Sequence, residues 1–579
     1  MSDRNDIIAH HEAGTLPELF VERLRRHRAD EVGIAFRATL VDLHNEGTID
    51  VLELARQIAS SPIDQHQFFT VMHVYTDLIP NLEAEVPAML SAVKALVARA
   101  GNDETAGMPN GAFRTWAEQV DRARATLAAI DPEDPDDSAY VFLGLQALAR
   151  SEPNAALDDA ITYLGGTSAP ARSAAAKAIG TFALATPELR KHATDALAAT
   201  APTSDDNGLG HILTAMCEIA RAHPDMTADA AALIGASAPQ AADQAIHQLS
   251  LEFMFHAEEL PSDIVVALTV IMHKVPIGNR GTIEHIDAAG SKLVSHKRLD
   301  EALALITPLI SAHDELTSLE ALDGFSNALL QLPGEQLAQV VMGWLLSLDP
   351  NLGRATMSLV GDHHGDKPLI LKLDGATIGL SDADRCLLAH RAIGWLFIHP
   401  VTAASLVVGL LDGAGDPAAQ VMADLLFDPL LINFSGNLGA WIAERAKNDD
   451  EPAQPILAEL VARLESYLDG LRGTALIKEL RPSERERLIE NHRQHESMRQ
   501  AHKQAEMKSV FMSMVSRQVL LDGTRSISYF EGPGGNKQRN EMKMHSFSHS
   551  IESPRLDVLE PFDLDYTLRV FRAMRKAAP

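Results

Sequence analysis

The sequence predicts a mainly α-helical protein, a helical-repeat solenoid over its first four-fifths followed by a small C-terminal α/β module with a short antiparallel sheet. Three observations predict it. Apolar stripes at helical spacing recur about every 20 residues as far as Gly470. Ala and Leu dominate the apolar residues while aromatics are only 5%, a balance that suits helix packing better than strand pairing. Short Pro, Gly or Asp-rich stretches punctuate the stripes and read as tight connections.

Length and composition fit this reading. At 579 residues the chain exceeds one globular core, and 46% hydrophobic residues exclude a largely disordered polymer. The net charge of −29 is unevenly spread. Residues 471–579 carry 19 Lys and Arg against 14 Asp and Glu, a net of +5, so residues 1–470 hold −34. An acidic body repels phosphate backbones, which leaves the basic tail as the place where nucleic acid could bind. Cys217 and Cys386 lie in apolar helical patterns and read as buried thiols of a cytoplasmic protein.

The repeat unit is clearest from Leu319 to Leu332. Leu322, Phe325, Leu329 and Leu330 share one face, Glu320, Asp323 and Asn327 lie elsewhere, and Pro333-Gly334 stops the helix. Leu337, Val340, Val341, Trp344 and Leu345 begin the next stripe, and Val86–Ala98, Ala174–Leu184 and Ala418–Leu426 repeat the pattern. Thr186-Pro187-Glu188 and Asp131-Pro132-Glu133 each offer a capping oxygen, a first-turn proline and an acid at the positive helix end. Helices this short are unstable alone and need stacked neighbours. Ile393–Leu411 is uncharged and nominally long enough to span a bilayer, but His399-Pro400-Val401-Thr402 splits it into two helices, so no membrane span is expected.

In this pattern of paired short helices the stretch 1–470 resembles the HEAT-like and armadillo-like α-solenoids, without a strict repeat consensus. The resemblance implies an extended surface for a partner. Lys367–Leu380 breaks the regularity and reads as a β-hairpin turning at Asp374-Gly375. Beyond Gly470, Ser483-Glu484-Arg485-Glu486 forms a capping box that opens a polar connecting helix, so 471–508 is a connector. Residues 509–579 read as the α/β module: a hairpin at Arg517–Phe530, a Gly-rich basic loop at Gly532–Asn540, a third strand at Met542–Ile551 and a closing helix at Asp563–Arg575.

No complete catalytic or cofactor motif is present, which points away from an enzyme, and no cofactor is expected. His11-Glu12 lacks the second histidine of a zinc-protease helix, because Thr15 stands there. Asp362, His363, His364 and Asp366 supply metal-ligand chemistry in a loop, where a solvated polar segment is the simpler account. In the C-terminal module Arg517, Arg525, Lys537, Arg539 and Lys543 interleave with Tyr529, Phe530 and His545, a mixture able to hold phosphates and stack bases. The expected function is a scaffold that binds a protein partner through its acidic helical surface. The alternative is single-stranded nucleic-acid binding through the C-terminal module.

Overall fold

In a computed structural model the described residues are 2–27, 30–101, 107–365, 367–373, 379–448, 451–480, 482–508, 515–521, 525–531, 537–543 and 552–575. The chain divides into two compact units, Met1–Gln331 and Leu332–Pro579.

The first unit opens with α1 (Ser2–Glu12), α2 (Leu16–His27), α3 (Glu31–Asn45), α4 (Val51–Ser60), α5 (Gln65–Leu78), α6 (Val86–Ala100), α7 (Gly107–Trp116) and α8 (Val120–Ala129). It continues through α9 (Pro135–Ser151), α10 (Pro153–Leu164), α11 (Ala169–Gly180), α12 (Pro187–Thr200), α13 (Asp206–Ala222) and α14 (Thr227–Ser237). It closes with α15 (Asp243–His256), α16 (Ser262–Met272), α17 (Arg280–Ser295), α18 (Leu299–Ala312) and α19 (Asp323–Leu330).

Odd-numbered helices each pack on the next but one and form an unbroken row, while the even-numbered helices pack in two runs, α2 to α8 and α10 to α18. This is a solenoid-like arrangement. Local chemistry starts the helices: Asp50, Asp64, Ser168, Thr186, Asp205 and Asn279 each accept a backbone N–H of the first turn. At Asp131-Pro132-Glu133 the expected start moves three residues on. Asp134 is the cap, because Asp131 instead closes a turn onto the Glu133 N–H. Within the odd row a side chain at Gly210 would put its Cβ 3.0 Å from the Ala245 Cα, so glycine permits the close approach of α13 and α15.

The second unit contains α20 (Gly334–Leu346), α21 (Pro350–Gly361), α22 (Asp382–Leu396), α23 (Pro400–Leu411), α24 (Asp416–Leu425), α25 (Asn437–Arg445) and α26 (Gln454–Thr474). The long α27 (Glu484–Lys508) follows and is almost wholly exposed. Its capping box forms, with the Ser483 N–H donating to Glu486 at 2.7 Å and the Glu486 N–H donating to Ser483 Oγ at 3.2 Å. The uncharged run 393–411 is indeed two helices, the end of α22 and α23, both buried in this unit. Among the described residues no helix is long and apolar enough to cross a membrane.

The expected C-terminal α/β module does not form, and the fold class is corrected to a helical one. Three short strands, β1 (Val515–Leu521), β2 (Arg525–Glu531) and β3 (Lys537–Lys543), pair antiparallel in that order. No helix packs along them among the described residues. β3 takes the last four residues of the expected basic loop, Lys537–Asn540, and meets the expected third strand only at Met542 and Lys543. The short α28 (Arg555–Leu559) and the closing α29 (Pro561–Ala573) join the helical body instead, α29 lying on α22. The reason is chemical. Arg391 of α22 donates to the Arg572 carbonyl at 2.6 Å, Arg572 donates back to the Gly394 carbonyl at 2.6 Å, and its guanidinium lies over the Trp395 ring.

The turn of the expected hairpin, residues 374–378, lies outside the described residues. Residues 367–373 adopt no strand. They run over α23, with the Leu371 N–H donating to Ser405 at 2.9 Å and Thr402 donating to the Leu369 carbonyl at 2.8 Å.

Candidate partner-binding surface

An acidic cleft of about 640 Å³ opens between α17 and the turns that lead into α19. Chain geometry builds it. Instead of one helix from Leu319, the chain makes two 3₁₀ turns, Asp314–Ser318 and Glu320–Leu322, with the buried Leu319 between them at φ 58°. A left-handed leucine costs backbone energy, and such strain persists only where the surroundings enforce it. Leu319 and Leu322 are fully buried, which supplies that enforcement.

Five carboxylates line the cleft: Glu284 and Asp287 from α17, Glu315 and Glu320 from the turns, and Asp323 at the start of α19. Arg280 is the cation in the lining. Glu284, Glu315, Glu320 and Asp323 are exposed. Asp287 is buried, and accepts the Gly324 N–H at 3.0 Å and the Phe325 N–H at 2.7 Å. It therefore caps α19 from a neighbouring helix. Burial pushes its carboxyl up to about 6 against the opposing effect of those two hydrogen bonds. At neutral pH it is ionised, so the cleft presents a dense negative field suited to a cationic group.

A second feature, of half-buried and buried polar side chains, runs along the odd row. Gln248 of α15 donates to Asn207 of α13 at 3.3 Å and sits 3.2 Å from the His211 ring, while Asn207 donates to Ser173 of α11 at 3.4 Å. Further along, His247 meets Thr282 at 2.9 Å and His285 meets Ser250 at 2.9 Å. These bonds tie successive helices together. Burial holds the His211 ring down at about 4, so it is neutral at physiological pH.

No family model matches the chain, and no curated protein matches it. Among solved structures, a crystal structure of an engineered protein aligns at 14% identity over 72% of this chain and 99% of that one. Its TM-score of 0.25 gives the likeness no weight for fold or function.

The residues singled out from sequence lie elsewhere. Asp362 ends α21, and His363 points its Nε2 at the Lys367 carbonyl of its own loop, 3.1 Å away. His364 is exposed, and Asp366 lies outside the described residues. His363 also lines a cleft of about 680 Å³ in the second unit with Ile398, Trp441 and Glu552. In the strands, the register aligns Arg517, Tyr529 and Arg539 in one row and sets Arg525 opposite Lys543, with Lys537 opposite Glu531. Tyr529 is half-buried, and Arg539 is exposed and paired with Glu541 at 3.1 Å. For Arg517, Arg525, Phe530, Lys537 and Lys543 only the backbone positions are described, and His545 is outside the described residues.

The cleft carboxylates were not singled out by sequence reasoning. Glu320 and Asp323 entered it only as the polar side of one helix. The available signal was the density of acids from Asp314 to Asp323 facing Glu284 and Asp287 one turn apart. Bringing those two stretches together required the fold.

Proposed function

We propose that this chain is a non-enzymatic interaction scaffold, and that its first unit takes a basic segment of a protein partner into the acidic cleft. The observation that carries the reading is four exposed carboxylates around one cleft beside a single arginine. Charge complementarity at such a site favours rapid capture of Lys and Arg-rich chains and rejects acidic ones. Affinity purification from the native source, at low and moderate salt, tests it. The double variant Glu315→Lys, Asp323→Lys changes exposed side chains and leaves the Asp287 cap in place. A partner retained by the native chain and lost by this variant is the expected result. Equal recovery by both would sink the cleft as the contact.

A second reading rests on one specific observation, the strand register that puts Tyr529 opposite Arg517 on one side and Arg539 on the other, residue types suited to base stacking and phosphate contact. If single-stranded nucleic acid binds there, an electrophoretic shift is abolished when Arg525, Lys537 and Arg539 are all changed to Glu. A shift that persists unchanged excludes the strands as the site.

A further inference from the structure

Glu218 of α13 and Glu252 and His256 of α15 converge at the C-terminal turns of two neighbouring helices in the odd row. Glu252 and His256 stand one helical turn apart, which places both on the same face. One ligand atom from each of the three residues lies within 4.8 Å of the other two. Glu252 is only 7% exposed, and its Oε1 is a buried atom without a hydrogen-bond partner. A buried carboxylate oxygen in that condition is costly unless a cation or a donor meets it.

Around the three, Arg221 pairs with Glu218 and donates to Glu259 at 2.8 Å, and Glu259 lies 3.7 Å from His256 Nδ1. The Cys217 thiol, buried beside Glu252, is pushed up by burial and stays protonated. Burial first, and then the Glu218 charge, also push the Glu252 carboxyl up to about 8. The charge Glu252 would carry is therefore poorly compensated by Arg221 alone. Both helices present their carbonyl ends here, which adds partial negative charge and further favours a cation.

We propose that Glu218, Glu252 and His256 form a binding site for a divalent transition-metal ion of the zinc class, clamping α13 to α15. Two carboxylates and one imidazole are a mixed oxygen and nitrogen set that suits zinc better than magnesium, which prefers oxygen alone. Metal–ligand bonds of about 2.0–2.2 Å require only small side-chain rotations from the present spacing. On binding, Glu252 gives up its proton to solvent and Arg221 leaves Glu218 while keeping Glu259. The fourth position falls to water or to Glu259.

Calorimetric titration of the chelator-treated full chain with zinc chloride tests the site, with magnesium chloride as a comparison arm. The expected result is one equivalent of zinc that is lost in Glu252→Gln and in His256→Gln. Glu252→Gln preserves shape and matches the protonated, neutral Glu252 of the metal-free chain, so it should fold, which circular dichroism verifies. Arg221→Gln removes the competing cation and should tighten zinc binding. Zinc stoichiometry unchanged in Glu252→Gln, no zinc equivalent in the native chain, or magnesium bound in preference would each overturn the proposal.

Discussion

Asp287 holds the start of α19 through the Gly324 N–H, which it shares with Asp323, and through the buried Phe325 N–H. Changing it to Ala leaves the buried Phe325 N–H without this acceptor, while Gly324 keeps Asp323. Asp287→Ala should cost about 1–3 kcal/mol in urea denaturation, with the loss of order concentrated at residues 314–325. His211 makes an opposite kind of prediction, read by pH. Its folded value of about 4 lies below the unfolded value of about 6.5, so the unfolded chain takes up the proton first. Stability is therefore lost as pH falls from about 6.5 towards 4, by about 1–2 kcal/mol for this partly exposed ring. His211→Gln should flatten that part of the profile. Sequence made Thr186 legible as a cap because donor and acceptor are three residues apart. It left Asp287 illegible because its partners lie 37 and 38 residues away.

At the scale of elements, α29 and α22 show how far local patterning reaches. The closing helix was expected at Asp563–Arg575 and occurs at Pro561–Ala573, because its apolar spacing and first-turn acid are local signals. Its destination was misread. The strands were nearest in sequence, but α22 offers Gly394, and a Cβ there would come within 3.0 Å of the Phe571 Cβ and the Arg572 nitrogen. His390 meets the Phe571 ring edge-on at 4.9 Å between centroids, completing a seat that recurrence analysis cannot detect. Gly394→Leu should therefore displace α29 while leaving the first unit untouched. Hydrogen exchange should show protection of residues 561–573 falling by at least about tenfold. Retained protection would mean that the glycine is not what admits the helix.

For the whole molecule, the legible part was the alternation of helices, and the illegible part was where they break into units. Stripes and caps repeat on both sides of Gln331, and the Pro333-Gly334 stop beside it is of the same kind as the breaks between other helices. The candidate cleft was hidden for a related reason. A net charge of −34 over residues 1–470 gives a background against which one acidic pocket has no compositional signature. That background predicts strong screening. Association with a basic partner should weaken by about tenfold or more between about 0.05 and 0.5 M salt, chiefly through a slower on-rate. Salt-independent binding would point to an apolar contact instead.

The seat of α29 on α22 also bears on how the protein is made. In the odd row each helix finds its neighbours within a few tens of residues, so that row can assemble as the chain leaves the ribosome. α22 must wait, because the groups that meet Arg391 and Gly394 lie 181 and 178 residues downstream. During that interval Arg391 already has the Leu345 carbonyl and Trp395 already lies against Gly353, but the side of α22 around Gly394 stays open, so this seat is completed only once residues 561–574 have been synthesised.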